Sequence, residues 1–260
     1  MNRKYLTYIV CGACALLCAC RPATPEKNPT SKESAPAEAK QPKRNIVRQH
    51  IAIPSTFTHI TNLGSIDIIY TQGDFNIDVE GDSAMLGYLN TTFESNLLTT
   101  NIYTDNNPDI NLYGSKSNIK MYISCPDLQC VSICGNGGFT SKGTWETENA
   151  QIGVFGSGTL KLGDVQCTTF KLESGDKGPI RIQHLKAEDA SIYSHSPANI
   201  DADLDVNRLS IFNVGTGRLH FTGRVRLSQI QHPDDPHLKL DLRNEELGIR
   251  NEELGIRNEK

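Results

Sequence analysis

The chain has 260 residues, of which 37% are hydrophobic and 22% are charged, and its formal net charge is −4 at pH 7. This size and composition are typical of one globular domain with appended segments. The sequence has no basic stripe for a phosphate backbone, and its only long apolar run lies at the N-terminus. These properties argue against nucleic-acid-binding proteins and against multi-span membrane proteins.

The N-terminal segment has the pattern of a bacterial lipoprotein signal. Two basic residues precede an apolar stretch at 6–17, which is shorter than the roughly 20 residues of a transmembrane helix. The stretch ends in Leu17-Cys18-Ala19-Cys20, which resembles a lipobox. We therefore expect residues 1–19 to be a signal peptide, and we expect lipid on Cys20 to anchor the protein to the outer membrane, facing the periplasm or the cell surface.

Four cysteines lie beyond this segment: Cys125, Cys130, Cys134 and Cys167. An exported protein can form disulfides, and four thiols permit three pairings, which the sequence leaves open. If Cys130 and Cys134 share a strand, their Cα atoms are about 13 Å apart, whereas a disulfide needs about 4.4–6.8 Å. The spacing is also not that of a zinc site. We expect buried thiols or one bridge.

The segments that flank the body differ from it in composition. Residues 20–44 hold the expected lipidated cysteine and five of the twelve prolines, which is typical of a solvated, disordered tether. The heptapeptide Arg-Asn-Glu-Glu-Leu-Gly-Ile occurs at 243–249 and again at 250–256. Its apolar residues fall on different helix faces, so we expect 241–260 to be a weakly helical or disordered tail. The domain between these segments is expected at 45–240.

The body is predicted to consist of β-strands. Apolar residues alternate with polar ones at 66–70 and again at 75–79, on either side of Gln72-Gly73-Asp74. This pattern predicts two strands joined by a tight turn. Further short strands are predicted near 98–103 and 119–123.

A repeat of about 20 residues begins near residue 128. Val131-Ser132-Ile133 precedes Gly135-Asn136-Gly137, and 21 residues later Ile152-Gly153-Val154 precedes Gly156-Ser157-Gly158. Related units begin at Phe170, Ala190 and Leu209. A unit of this length cannot bury its apolar side alone, so the units must stack. The sequence therefore predicts an all-β fold, a parallel β-solenoid or β-helix preceded by antiparallel strands, with a β-sandwich as the alternative.

The glycine pairs of these units are interpreted as turn residues with positive φ. A nucleotide-binding loop would need a following Lys-Ser or Lys-Thr and a helix, and neither is present. We therefore expect no nucleotide and no other cofactor.

The opening of the body resembles the auto-transporter adhesin head GIN domain family. The resemblance is carried by Thr56-Phe57-Thr58-His59-Ile60, by the run from Gly64 to Asp74, by Val79-Glu80-Gly81-Asp82, and by the later glycine corners. It covers roughly residues 50–230. The resemblance implies a β-helical, adhesin-like protein and brings no catalytic residues with it. The fourth unit departs from the family pattern, because Ser194-His195-Ser196-Pro197 replaces its glycine corner.

Asp201, Asp203 and Asp205 are the candidates for a metal or catalytic site. They alternate with apolar residues, which places three carboxylates on one strand face about 6.6 Å apart. Such a row is a weak candidate for calcium binding or for a glycosidase, against the simpler interpretation of an acidic, solvated strand face.

Two further groups of side chains are candidates for contact with a ligand. His184, His195 and His220 fall in three different units, where stacking would bring some of them together, but no metal-binding pattern accompanies them. The aromatic residues are expected on the polar side or at corners of the solenoid, as a ladder for glycan or protein contact or as packing under the corners: Trp145, Phe155, Tyr193 and Phe212.

The function expected from these observations is that of a non-enzymatic envelope lipoprotein with an adhesin-like head. Its partners would be the membrane, through lipid, and glycans or envelope or host proteins. A carbohydrate-active enzyme and a self-stacking scaffold are the alternatives.

Overall fold

The computed structural model describes residues 45–102, 117–231 and 235–243. The predicted signal peptide, Cys20, the tether and the repeat tail beyond Arg243 lie outside the described residues. Within the described part, no helix is both long enough and apolar enough to cross a membrane. The last strand ends at Arg243, three residues into the segment predicted as the tail.

The described chain forms fifteen strands and one short helix. Their bounds are Ile46–His50 (β1), His59–Asn62 (β2), Asp67–Gln72 (β3), Asn76–Asp82 (β4), Ser83–Leu86 (α1), Leu89–Glu94 (β5), Leu97–Ile102 (β6), Lys120–Cys125 (β7), Cys130–Ile133 (β8), Phe139–Lys142 (β9), Thr144–Val154 (β10), Leu160–Ser174 (β11), Ile180–Ser194 (β12), Ile200–Asn213 (β13), Leu219–Gln231 (β14) and Leu238–Arg243 (β15).

The later strands stack in parallel, in the register that the repeat predicts. Val131 pairs with Ile152, Ile152 with Leu172, Leu172 with Ile192, and Ile192 with Ile211. These side chains are all buried. The fold is a parallel β-solenoid of about six turns with antiparallel strands in its sheet, so the predicted fold class is confirmed.

The first coil is formed by β2 and β3, and it lies between two others. On one side, β2 pairs with β8 and β3 with β9. On the other side, β2 pairs with β6 and β3 with β7. Antiparallel strands then cover this end: β5 on β6, and β4 followed by β1 on β7.

The hairpin predicted around Gln72-Gly73-Asp74 is wrong. Strands β3 and β4 exist, but β7 lies between them and pairs with both. A β7 strand that is parallel to β3 and antiparallel to β4 satisfies the backbone groups of both neighbours. The local alternation of 66–79 carries no sign of a partner that arrives almost 50 residues later.

The interior is filled by columns of side chains, each column taking one residue from successive coils. One column is Ala150, Phe170, Ala190 and Leu209, in which small and large residues alternate. All four are buried. This alternation lets rings and aliphatic chains interdigitate at the density of a protein core.

The reason for glycine at the corners is not the predicted one, which was positive φ. Among the described glycines only Gly143 and Gly223 have positive φ. The corner glycines instead allow backbones of adjacent coils to approach. A Cβ on Gly156 would lie 2.2 Å from the carbonyl oxygen of Gly135, and one on Gly158 would lie 1.9 Å from that of Gly137. No side chain fits at these distances, so the close stacking of coils requires glycine here.

Candidate functional site

An exposed strip of aromatic rings runs across neighbouring coils at the corner where strands β10, β12 and β13 end. It comprises Phe155, Tyr193, His195 and Phe212, and we name it the aromatic strip. Phe155 is 43% and Tyr193 42% exposed. His195 is exposed and Phe212 is half-buried. Large apolar rings at this level of exposure on a soluble surface mark interaction sites when they are contiguous.

These rings are placed by the alternation of the strands and by the corner that follows them. Tyr193 and Phe212 each follow a buried isoleucine, so the alternation of β12 and β13 points them outward. Phe155 and His195 are the residues that directly follow β10 and β12. The register places the coil of Phe155 three strand spacings from that of Phe212, which makes the strip about 14 Å long.

Tyr193 connects the middle of the strip. Its ring centroid lies 4.6 Å from that of Phe212, with 3° between the ring planes, and 5.4 Å from that of His195, with 59° between the planes. Both contacts are within the range of favourable aromatic pairs.

Two glycines make room for the remaining ring. A Cβ on Gly153 would lie 2.3 Å from Phe155 Cε2, so the Phe155 ring lies over Gly153. A Cβ on Gly175 would lie 3.0 Å from Phe155 Cδ1 and 3.1 Å from His195 Nε2. Phe155 and His195 therefore approach Gly175 from opposite sides, and both rings fit at this corner because Gly175 has no side chain.

Polar side chains flank the strip. Glu173 is the register partner of Tyr193 in the preceding coil, and Gln231 is the partner of Phe212 in the next. The neighbouring outward row on the same face holds Ser191 and Ser210. The surface is therefore one ring wide, with hydroxyl, amide and carboxyl groups beside it.

The predicted place of Trp145 in such a ladder is wrong. Its side chain is 1% exposed, and its Nε1 donates a hydrogen bond to the Leu128 carbonyl at 2.8 Å. It packs against Tyr70 and Phe139, at centroid distances of 5.8 and 6.3 Å. Trp145 occupies the column of Val165, Leu185 and Leu204, which explains its burial. The 20-residue spacing from Trp145 to Val165 was the signal that could have placed it inside.

Asp201, Asp203 and Asp205 lie on the outward face of β13, as their alternation predicts. Each carboxylate contacts side chains of adjacent coils. Asp201 lies 3.1 Å from Arg218 and 3.4 Å from His220, and Asp205 lies 2.8 Å from Arg224. Among the described residues, no group of three or more His, Cys, Asp or Glu side chains is arranged to hold a metal ion. The calcium assignment stays a prediction.

Asp203 has the most developed hydrogen-bonding environment of the three. His184 Nδ1 lies 2.8 Å from one carboxylate oxygen, and Thr222 donates to the other at 2.9 Å. Partial burial raises the pKa of Asp203, but these hydrogen bonds outweigh it and hold the pKa below its ordinary value.

The three histidines are not brought together. His184 contacts Asp203, His195 contacts Tyr193, and His220 lies between Asp201 and Asp241. Each belongs to a different outward row, so they do not form a joint site.

The four described cysteines are thiols. Cys125 pairs in register with Gln72, Cys130 with His59 and Gln151, and Cys167 with Thr147 and Ala187, so no cysteine is the strand partner of another. Burial raises the pKa of Cys125 to about 12 and that of Cys167 to about 11, which keeps both protonated at neutral pH.

Solved structures with the same fold come from Bacteroides and Parabacteroides species. A "putative adhesin" from Bacteroides fragilis is 17% identical, with a TM-score of 0.54 over 77% of this chain and 96% of that chain. A "putative lipid binding protein" from Parabacteroides distasonis is 18% identical, with a TM-score of 0.51 over 77% and 96%. A "putative adhesin" from Parabacteroides distasonis is 14% identical, with a TM-score of 0.50 over 78% and 96%.

These likenesses establish the fold, and part of the sequence matches a family model. No curated protein matches the chain. The family described as "Putative auto-transporter adhesin, head GIN domain" matches residues 56–183, which include the first coil, the antiparallel strands β4 and β5, and strands β8 to β11 of the repeats. The family and these neighbours are named as adhesins and as a lipid-binding protein, and none of the names is that of an enzyme. Residues 56–183 match the model of the auto-transporter adhesin head GIN domain family, so the resemblance that the sequence predicts is confirmed over that range.

Proposed function

We propose that the protein is a non-enzymatic envelope lipoprotein whose head binds a glycan through the aromatic strip. The observation that carries this proposal is the row of rings in which Tyr193 contacts His195 and Phe212, while Phe155 and His195 both lie beside Gly175; Phe155 and Tyr193 are more than two-fifths exposed. The adhesin names of the family and its neighbours support a binding role.

A glycan suits this surface better than an apolar protein segment does. Aromatic faces offer flat apolar area to the C–H faces of sugar rings, and the flanking groups of Glu173, Ser191 and Ser210 offer partners for hydroxyls. A protein anchor usually fills a desolvated pocket with a wide apolar rim. The strip is narrow and has a polar border.

Several weak contacts in a row suit an adhesin. One stacked sugar binds weakly, but a chain that contacts successive rings converts later contacts into intramolecular ones. Many copies on one cell multiply this effect.

A glycan array with the purified full-length protein tests this function. We expect bound glycans to lose about tenfold in affinity with Tyr193→Ala and with Tyr193→Leu, which keeps bulk but removes the ring face. Leu227→Ala is the control, because Leu227 is 56% exposed on β14 and lies outside the strip. Equal binding by all four proteins, or no glycan bound at all, contradicts the proposal.

The lipid anchor is proposed from the lipobox pattern at Cys20. Growth with labelled palmitate should label the wild-type protein and not Cys20→Ala, and the variant should leave the membrane fraction. Equal labelling of both proteins contradicts the anchor.

A further inference from the structure

A second surface, a polar cleft on another face of the solenoid, has the chemistry of an anion-binding site. Its volume is about 250 Å³, and it lies where β3, β7, β9 and β11 meet. Six residues carry its chemistry: Asp67, Lys120, Asn136, Thr140, Ser157 and Lys161. The volume is just below the roughly 300–1,000 Å³ of pockets for drug-sized ligands, so it suits one small group or sugar unit.

Small residues in one coil create the cleft. The position of Gly138 is taken by Thr159, Pro179 and Asn199 in the following coils. In each case the carbonyl oxygen accepts a hydrogen bond from a backbone N–H at the start of the strand in the preceding coil. In the outward row, Thr140 lies between Ile69 of one coil and Lys161 of the next. The side chains of the β9 coil therefore project less far outward at this point than those of the two neighbouring coils.

Two ammonium groups border the depression. Lys120 and Lys161 are both exposed, and neither forms an ion pair with a described residue. Glu80 is the register partner of Lys120 on β4, yet the two side chains do not form an ion pair. Arg181 follows Lys161 in the next coil and extends the positive surface.

The cleft also presents neutral hydrogen-bond donors. Ser157 Oγ donates to Asn136 Oδ1 at 2.5 Å, so the amide oxygen is occupied and the NH₂ group of Asn136 remains the donor. The single carboxylate of the lining, Asp67, accepts the Gly138 backbone N–H at 2.9 Å through one oxygen. Its other oxygen can accept a hydroxyl of a ligand.

We propose that this cleft binds the acidic group of an anionic saccharide. Lys120 and Lys161 bind the anion, Asn136 and Thr140 donate to it, and Asp67 accepts a hydroxyl of the same sugar. The chain as a whole has a net charge of −4, so its surface does not attract anions in general. Attraction to an anion is therefore local to the two lysines. The site does not depend on the aromatic strip, so either proposal can fail alone.

Calorimetric titration of the full-length protein with three oligosaccharides of equal length tests the cleft. One carries sulfates, one carries uronate carboxylates, and one is neutral. We expect one or both acidic probes to bind and the neutral one not to bind, and the comparison of the first two identifies the anion. If neither acidic probe binds, the proposal is overturned.

Variants assign the binding to the cleft. Lys120→Met and Lys161→Met should each weaken binding of the acidic probe about tenfold, since each removes a charge-assisted hydrogen bond. Thr140→Leu fills the cleft at unchanged charge and should do the same. Lys171→Met removes an exposed charge elsewhere on β11 and should change nothing, and Tyr193→Ala should also leave this binding intact.

Each variant is first checked for native circular dichroism, and Thr140→Leu supplies the test if a lysine variant does not fold. Unchanged affinity in all three cleft variants overturns the proposal. An equal loss of affinity in Lys171→Met overturns the proposal as well, because binding would then depend on the total charge of the protein and not on the cleft.

Discussion

Tyr193 and Phe212 lie face to face, with ring centroids 4.6 Å apart and planes 3° from parallel. The two residues are register partners on β12 and β13, and parallel strands lie about 4.7–4.9 Å apart. The separation of the rings is thus the separation of the coils. A solenoid in register spaces any outward row of aromatic residues in this way, so the stacking of Tyr193 on Phe212 follows from the fold.

Gly175 controls the geometry of the strip at its other end. We expect Gly175→Val to displace the rings of Phe155 and His195, because its Cβ would lie 3.0 Å from one and 3.1 Å from the other. Ring proton shifts of both residues in nuclear magnetic resonance spectra measure this change. Gly73→Ala is the control, since nothing lies within 4 Å of its Cβ position. Unchanged ring shifts in Gly175→Val would mean that the rings do not meet at this corner.

Gly223 is predicted to be required for the stacking of β14 on β13. It has φ of 107°, and a Cβ there would lie 2.0 Å from the carbonyl oxygen of Leu204. We expect Gly223→Ala to lower the free energy of unfolding by more than the roughly 1–3 kcal/mol that backbone strain alone would cost. Gly143→Ala isolates the strain, because Gly143 has φ of 70° and nothing within 4 Å of its Cβ position. Urea denaturation measures the stability of both variants. An equal loss of stability in the two would mean that the contact with the Leu204 carbonyl oxygen contributes nothing.

Trp145 is predicted to be a main contributor to stability. Trp145→Ala removes a fully buried ring and its packing on Tyr70 and Phe139, which should lower the free energy of unfolding by about 3–5 kcal/mol. Trp145→Phe keeps a ring but leaves the Leu128 carbonyl without its donor, so its loss should be smaller, about 1–3 kcal/mol. Denaturation followed by circular dichroism measures these losses. A change below about 0.5 kcal/mol in Trp145→Ala, the size of an ordinary surface substitution, would contradict the buried position.

The hydrogen bonds of Asp203 predict a specific loss of stability in acid. Its pKa is lower in the folded protein than in an unfolded chain, where it is about 3.9. The contribution of Asp203 is therefore complete above about pH 4 and is lost as the pH falls from there through the lowered folded value. Asp203→Asn should flatten the dependence of the thermal midpoint on pH in that window.

Asp164→Asn is the control for this pH profile. Asp164 lies on β11, and its side chain forms no hydrogen bond or ion pair with a described residue, so its replacement should leave the profile as in the wild type. If Asp203→Asn and the wild type show the same slope below pH 4, the contacts of Asp203 with His184 and Thr222 do not stabilise the folded state.

The sequence predicted the solenoid because stacking acts on every unit alike. Val131, Ile152, Leu172, Ile192 and Ile211 occupy the same column, and their spacing is visible as a period. The outward positions of Tyr193 and Phe212 followed from the alternation within the strands.

Features that join distant segments were not visible in the sequence. Trp145 stands alone between polar residues, and only alignment with Val165 in the next coil shows that it faces inward. The insertion of β7 between β3 and β4 depends on a segment that follows much later in the chain. The cleft likewise combines Asp67, Lys120 and Lys161 from three separate strands, whose proximity is set by the pairing of the coils.

The proposed binding of glycans on another cell needs a head that is presented outside the cell, and protease treatment of intact cells tests this most directly. The head is followed by immunoblot, with a periplasmic protein as the control for an intact outer membrane and lysed cells as the control for susceptibility to the protease. We expect the head to be degraded in intact cells while the periplasmic protein survives. Protection of the head until lysis would contradict it, because a head inside the envelope cannot bind glycans of another cell.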